Sequence, residues 1–145
     1  GTTVWDESFI TINQKKYSLN DIENKIIRKK YKEPRAHFAL VCASISCPKL
    51  RSEAYEGYKL DSQLNDQARQ FFNDSTRNNF DGKNKIANLS KILDWYESDF
   101  AENDKQLLKF VSKYLKHNLS GNIKSNIEQW EIDYLNYNWN LNDYK

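Results

Sequence analysis

Both cysteines of this 145-residue chain, Cys42 and Cys47, lie within ten positions of His37, one of its two histidines. Arg35, Ser44 and Ser46 complete a stretch from Arg35 to Pro48 in which nearly every polar side chain has a chemical use. A thiol nucleophile works as the thiolate, favoured by a neighbouring cation, imidazolium or helix N-terminus, and its reaction needs backbone N–H groups at the developing oxyanion. His37 has the right side chain to move a proton. Arg35 could hold a carboxylate in a fork of two hydrogen bonds, and Ser44 and Ser46 offer hydroxyls at the rim. The candidate catalytic residues are therefore Cys47, Cys42 and His37, and the candidate binding residues are Arg35, Ser44 and Ser46.

The same residues have a plainer use. Unreactive cysteines behave as small buried hydrophobes, and a histidine can be satisfied inside a core. The apolar run Phe38 to Val41 predicts a buried central strand over about 36–42, started by Pro34 and ended where Ser44, Ser46 and Pro48 interrupt it. Alternation along that strand sets His37 on the Val41 face and Cys42 on the face of Phe38 and Leu40. A His37–Cys42 dyad would then require a bend, and Cys47, beyond the strand, is the better placed partner. A Cys42–Cys47 disulfide is disfavoured, because a strand-end Cys42 points into the core.

Other chemistry finds less support. Zinc needs about four ligands, whereas His37, Cys42 and Cys47 have an unusual spacing and His117 is remote, so neither a metal nor another cofactor is expected. Asp94 and Asp99 beside Trp95 and Tyr96 suggest a carbohydrate site, but core aromatics and a loop-bonding carboxylate account for them more simply. With 22 Lys and Arg against 20 Asp and Glu, interspersed along the chain, the net charge of +2 gives no footprint for nucleic acid. No apolar run is long enough to span a membrane.

The length suits a single domain over residues 1–145. Phe9 to Ile12 and Tyr17 predict a hairpin, and Ser18 to Asp21 a capping box with Asp in place of Glu. The three main helices are expected near 20–31, 61–73 and 104–117, the last ended by Asn118 to Gly121. Arg77 to Phe80 and Lys85 to Leu89 predict two strands across an Asp-Gly turn, Ser90 a cap for a short helix, and Ile132 onward a strand with an irregularity. Strands and helices without regular alternation indicate an α+β fold with a mixed or antiparallel sheet. Phe38, Leu40, Leu64, Phe71, Ile92, Trp95, Leu108 and Val111 are the expected core.

Three stretches together resemble one family: Pro34 to Leu50 with its Cys loop, Leu89 to Phe100 containing Asp94-Trp95-Tyr96, and Tyr134 to Asn142. They are similar to the domain of unknown function 547 family, and the segments 18–23 and 51–74 share the likeness. The resemblance implies no assigned activity. It does place the Cys loop in the family's main signature, and it implies an upstream helical part, with a Trp-Ile-Asn and Tyr-Asn pattern, that this chain lacks. On that expectation the chain is the latter part of the domain, and the upstream segment or another subunit would cover some of its surface. Two functional readings follow. One is a thiol-dependent hydrolase or transferase using the His37, Cys42 and Cys47 loop on a small-molecule or peptide ligand; the other is a non-catalytic binding or scaffold domain whose loop is structural. A bacterial, exported setting is slightly favoured.

Overall fold

The computed structural model describes residues 3–143. The described residues form two compact units that divide between Pro34 and Arg35.

The first unit is a hairpin followed by a helix. Strands β1 (Ile10–Ile12) and β2 (Lys15–Tyr17) pair antiparallel, Ile10 opposite Tyr17. The two residues between them, Asn13 and Gln14, have φ of 49° and 65°, the double left-handed turn whose twist suits a two-residue hairpin. Ser18 and Asp21 then form the predicted capping box. The Asp21 N–H donates to Ser18 Oγ and the Ser18 N–H to Asp21 Oδ2, both at 3.0 Å. The helix that follows, Asp21–Tyr31, has the wide π-helical turn and buries none of its residues fully, so Ile22, Ile26 and Ile27 are half-buried rather than core. Lys32, in the left-handed conformation at φ 51°, ends it two residues before Pro34.

The second unit holds the main core. Helix α1 (Leu60–Phe72) buries Leu64, Ala68, Phe71 and Phe72, spaced along one face. Strands β3 (Asn79–Asp81) and β4 (Ile86–Leu89) pair antiparallel, while β5 (Glu131–Tyr134) lies parallel to β4 on its other edge. The sheet is therefore mixed, and the fold is α+β. Between β4 and β5 run α2 (Lys91–Trp95), α3 (Glu97–Phe100), α4 (Asp104–Ser112) and α5 (His117–Ser125). Ser90 caps α2 by accepting the Ile92 N–H, as expected, and Asn103 caps α4 by accepting the Gln106 N–H. Leu107, Leu108, Val111, Ile123 and Trp130 pack with Ala68, Phe71 and Phe72 of α1 and with Phe38, Ala87 and Leu89.

Four expectations need correction. The central strand is β4, and residues 36–42 are not a strand. Pro34–Phe38 forms a 3₁₀ turn in which Ala36, His37 and Phe38 are all buried, and the Ala39 and Leu40 N–H groups return to the Ala36 carbonyl. A short apolar run reads alike as buried strand or buried turn, and Pro34, with its helix-ready φ and missing N–H, favoured the turn. Leu40, just past that turn, is 37% exposed. Trp95 is 45% exposed, since α2 turns Ile92 and Leu93 to the core and ends there. Finally, the helix expected over 104–117 stops at Ser112, and Asn118 to Gly121 lie inside α5. The Ser120 hydroxyl donates to the Ser112 carbonyl at 2.7 Å, a contact that locks the helix pair and outweighs the helix-ending tendency of Asn and Gly.

Asn78 fastens these parts together. Fully buried, it donates to the Phe71 carbonyl at the end of α1 (2.9 Å) and accepts the Ser90 N–H at the start of α2 (3.0 Å). Asn78→Ala leaves the buried Ser90 N–H unpaired and the Phe71 carbonyl with only the longer bond from the Asp74 N–H, so it should lower unfolding free energy by about 1–3 kcal/mol in urea titration. Ser18→Ala, at a helix cap in the smaller unit, should cost about 1 kcal/mol.

Candidate active site around the two thiols

The Cys loop begins where the 3₁₀ turn ends. Its tip closes as a turn, with the Cys47 N–H on the Ser44 carbonyl at 3.1 Å. The Cys42 N–H donates to Cys47 Sγ at 2.7 Å, so the turn lays one cysteine's sulfur on the other's backbone. The C-terminal tail holds the loop from one side. Ser44 and Leu141 form an antiparallel bridge, the Asn142 N–H reaches the Ala43 carbonyl at 2.7 Å, and the Ile45 N–H reaches the Asn140 carbonyl at 2.9 Å. Ser46 Oγ accepts the Asn138 N–H at 2.9 Å. From beneath, Arg77 Nε donates to the Cys47 carbonyl at 2.7 Å and its second guanidinium nitrogen to the Ile45 carbonyl at 3.1 Å. Arg77 is buried, and Asp74 balances its charge.

The two thiols have opposite surroundings. Cys42 is exposed and Cys47 only 5% exposed, the reverse of a core-facing Cys42 and a freed Cys47. With no strand at 36–42, alternation does not govern their directions. Both are free thiols. Cys42 Sγ lies 3.0 Å from Ser44 Oγ and 3.7 Å from the Tyr137 hydroxyl, and those two oxygens are 2.9 Å apart. Partial burial pushes the Cys42 thiol up, but hydrogen bonds from Cys47, from the Ser44 side chain and backbone and from Tyr137 outweigh it, bringing the pKa down from 9.0 to about 7. Cys47 goes the other way, to about 11, because burial and the neighbouring Cys42 sulfur both disfavour a second thiolate. Burial also pushes Tyr137 well up, with the thiols adding to it, so its hydroxyl stays protonated and can donate.

The remaining candidates make other contacts. His37 Nε2 is 2.8 Å from Asp99 Oδ2, and its ring stacks on Tyr96 at 4.2 Å between centroids. Asp99 is thus one of the two carboxylates expected to bond a neighbouring segment. Arg35 donates from one nitrogen to Asp61 Oδ1 (2.7 Å) and Asn65 Oδ1 (2.9 Å) on α1. Sequence reasoning missed Tyr137 and Arg77 as parts of the site. Tyr137 falls in the aromatic and Asn-rich tail stretch, the one signal that pointed to it; Arg77 had none. Tyr137 also joins an open aromatic group: its ring lies 4.9 Å from Trp95 and 4.4 Å from Trp139, whose rings stack at 5.5 Å.

A narrow cleft touches the loop, with Ser46, Arg77, Lys91 and Tyr137 in its walls. A wider one, about 250 Å³, lies over Arg51, Glu53, Asp66 and Gln70, where Arg51 already bonds Glu53 and Asp66. Among the described residues no group of three or more His, Cys, Asp or Glu side chains is placed to hold a metal ion, and no helix is long and apolar enough to cross a membrane.

The model of the family described as "Protein of unknown function, DUF547" matches residues 1–72, the first part of the chain. That span contains Arg35, His37 and the whole Cys loop; the stretches 89–100 and 134–142, which also carry the resemblance, lie beyond it. No curated protein and no solved structure matches the chain.

Arg77 is the test of how the loop is held. Lysine cannot reproduce a fork that serves two carbonyls and a carboxylate at once. Arg77→Lys should therefore lower stability by about 2–3 kcal/mol in denaturant titration. In the folded protein it should also expose Cys47 to alkylation, read by mass spectrometry.

Proposed function

Starting from a chain that belongs, through residues 1–72, to the DUF547 family, whose chemistry carries no assignment, we propose that it is a thiol-dependent hydrolase or transferase with Cys42 as nucleophile. One observation carries this reading: an exposed sulfur with the Ser44 and Tyr137 hydroxyls beside it. Hydroxyl donors stabilise a thiolate, and a thiol with a pKa of about 7 is about half ionised at neutral pH, against a few per cent for a free thiol near 8.5. Cys42 thus needs no separate base to become nucleophilic. Attack on an electrophilic carbon forms a covalent intermediate that water resolves in a hydrolase and another acceptor resolves in a transferase.

His37 is buried against Tyr96 and bonded to Asp99, so in this reading it positions the segment entering the loop rather than moving a proton at Cys42. A carboxylate bonded to one ring nitrogen orients an imidazole and fixes its tautomer, as Asp99 does here. Cys47 serves Cys42 as a hydrogen-bond partner, and Ser46 holds the tail. Arg35, bonded to Asp61 and Asn65, steadies the segment leading into the loop. The open Trp95 and Trp139 rings beside Tyr137 give a small-molecule or peptide ligand an apolar face to lie against.

The internal pairing of the loop supports a second reading, a binding or scaffold domain, because the backbone groups at its tip are tied to Arg77 or to the tail. Alkylation separates the two. Under the first, iodoacetamide should modify Cys42 in the folded protein with a rate that rises through a midpoint near pH 7, while Cys47 stays unmodified; Cys42→Ser should remove the reaction. Two thiols inert until denaturation would leave only the scaffold.

A further inference from the structure

We propose that Cys42 and Cys47 are a redox pair, which a low-molecular-weight disulfide converts to a reversible intramolecular disulfide that withdraws the nucleophile. The inference rests on Cys42 being the reactive thiol and adds a role for Cys47.

The geometry carries it. The turn at Ser44–Cys47 folds the chain back, and the Cys42 N–H meets Cys47 Sγ at 2.7 Å. A cysteine sulfur that close to another cysteine's nitrogen cannot have its Cα more than about 7 Å from the other Cα, the outer limit for a disulfide. Access is unequal. Cys42 is open to solvent, whereas Cys47 is shielded and has Cys42 at its side. The unequal acidities act in the same direction, since the thiolate is the attacking species and Cys42 holds it at neutral pH.

The reaction balances in two steps. The Cys42 thiolate attacks one sulfur of the small disulfide, that S–S bond breaks, and one small thiol leaves with a proton from solvent, giving a mixed disulfide on Cys42. Cys47 then loses its proton to solvent and attacks the Cys42 sulfur; the mixed S–S bond breaks, and the second small thiol leaves protonated. The protein gives up two electrons and the small disulfide takes them, yielding two thiols and one Cys42–Cys47 bond.

Oxidised glutathione is the probe, with intact mass and free-thiol count after denaturation as readouts. Wild type should lose both free thiols and keep no adduct, lose iodoacetamide labelling at Cys42, and recover it after dithiothreitol. Cys47→Ser should trap one glutathione on Cys42, and Cys42→Ser should take none while folded. Circular dichroism checks each variant, and Cys47→Ala replaces Cys47→Ser if the latter does not fold. A wild type that retains glutathione on Cys42 with Cys47 free would overturn the pair and leave the nucleophile standing. A folded protein in which neither thiol reacts would remove both.

Discussion

A buried guanidinium sets the shape of the candidate site. Removing Arg77 from water is costly unless its donors find acceptors, and it finds the Ile45 and Cys47 carbonyls, Asp74 and the Thr76 hydroxyl. Asp74 meets the demand from its own side. Burial would push its carboxyl up, but Thr76, Arg77 and Lys49 hold it below the ordinary carboxylate value, so the negative partner persists at neutral pH. The carbonyls Arg77 binds are those of the loop tip, so satisfying one buried charge also fixes the turn that brings the cysteines together. The tail, bridged at Leu141, closes the other side.

From that clamp follows the asymmetry between the thiols. The side that meets Arg77 is buried and keeps Cys47 neutral; the other side opens to solvent beside Ser44 and Tyr137 and favours the Cys42 thiolate. Two sulfurs of identical chemistry thus differ by how each is solvated and which donors face it. Exposed thiol and shielded thiol are conditions that the loop sets, and the aromatic group of Trp95, Tyr137 and Trp139 borders the Cys42 side.

Much of the local structure was legible along the chain because its causes are local. The hairpin follows β-branched and apolar residues broken by a polar turn, the Ser18–Asp21 box pairs groups three positions apart, and Ser90 caps a helix two residues on. The apolar spacings of α1 and α4 report one buried face each, which needs only a helix and a core. Reading failed where a distant partner decided. Asn118 and Gly121 are helical because Ser120 reaches Ser112 and Ile123 fills the core, and Trp95 lies outside the core because α2 turns Ile92 and Leu93 inward, leaving Trp95 to pack only on the tail rings Tyr137 and Trp139.

By itself the sequence determined that the chain is α+β and that a family resemblance takes in the stretch holding His37, Cys42 and Cys47, the three residues it offered as candidates. Each depends on residue type and short-range spacing. Which thiol is exposed, that Tyr137 rather than His37 stands at Cys42 Sγ, that His37 bonds Asp99, and that a buried Arg77 holds the loop were decided by tertiary structure alone. These contacts join residues 30 to 95 positions apart. Solvation and hydrogen bonding at that separation are set by how the chain packs, which no local pattern encodes.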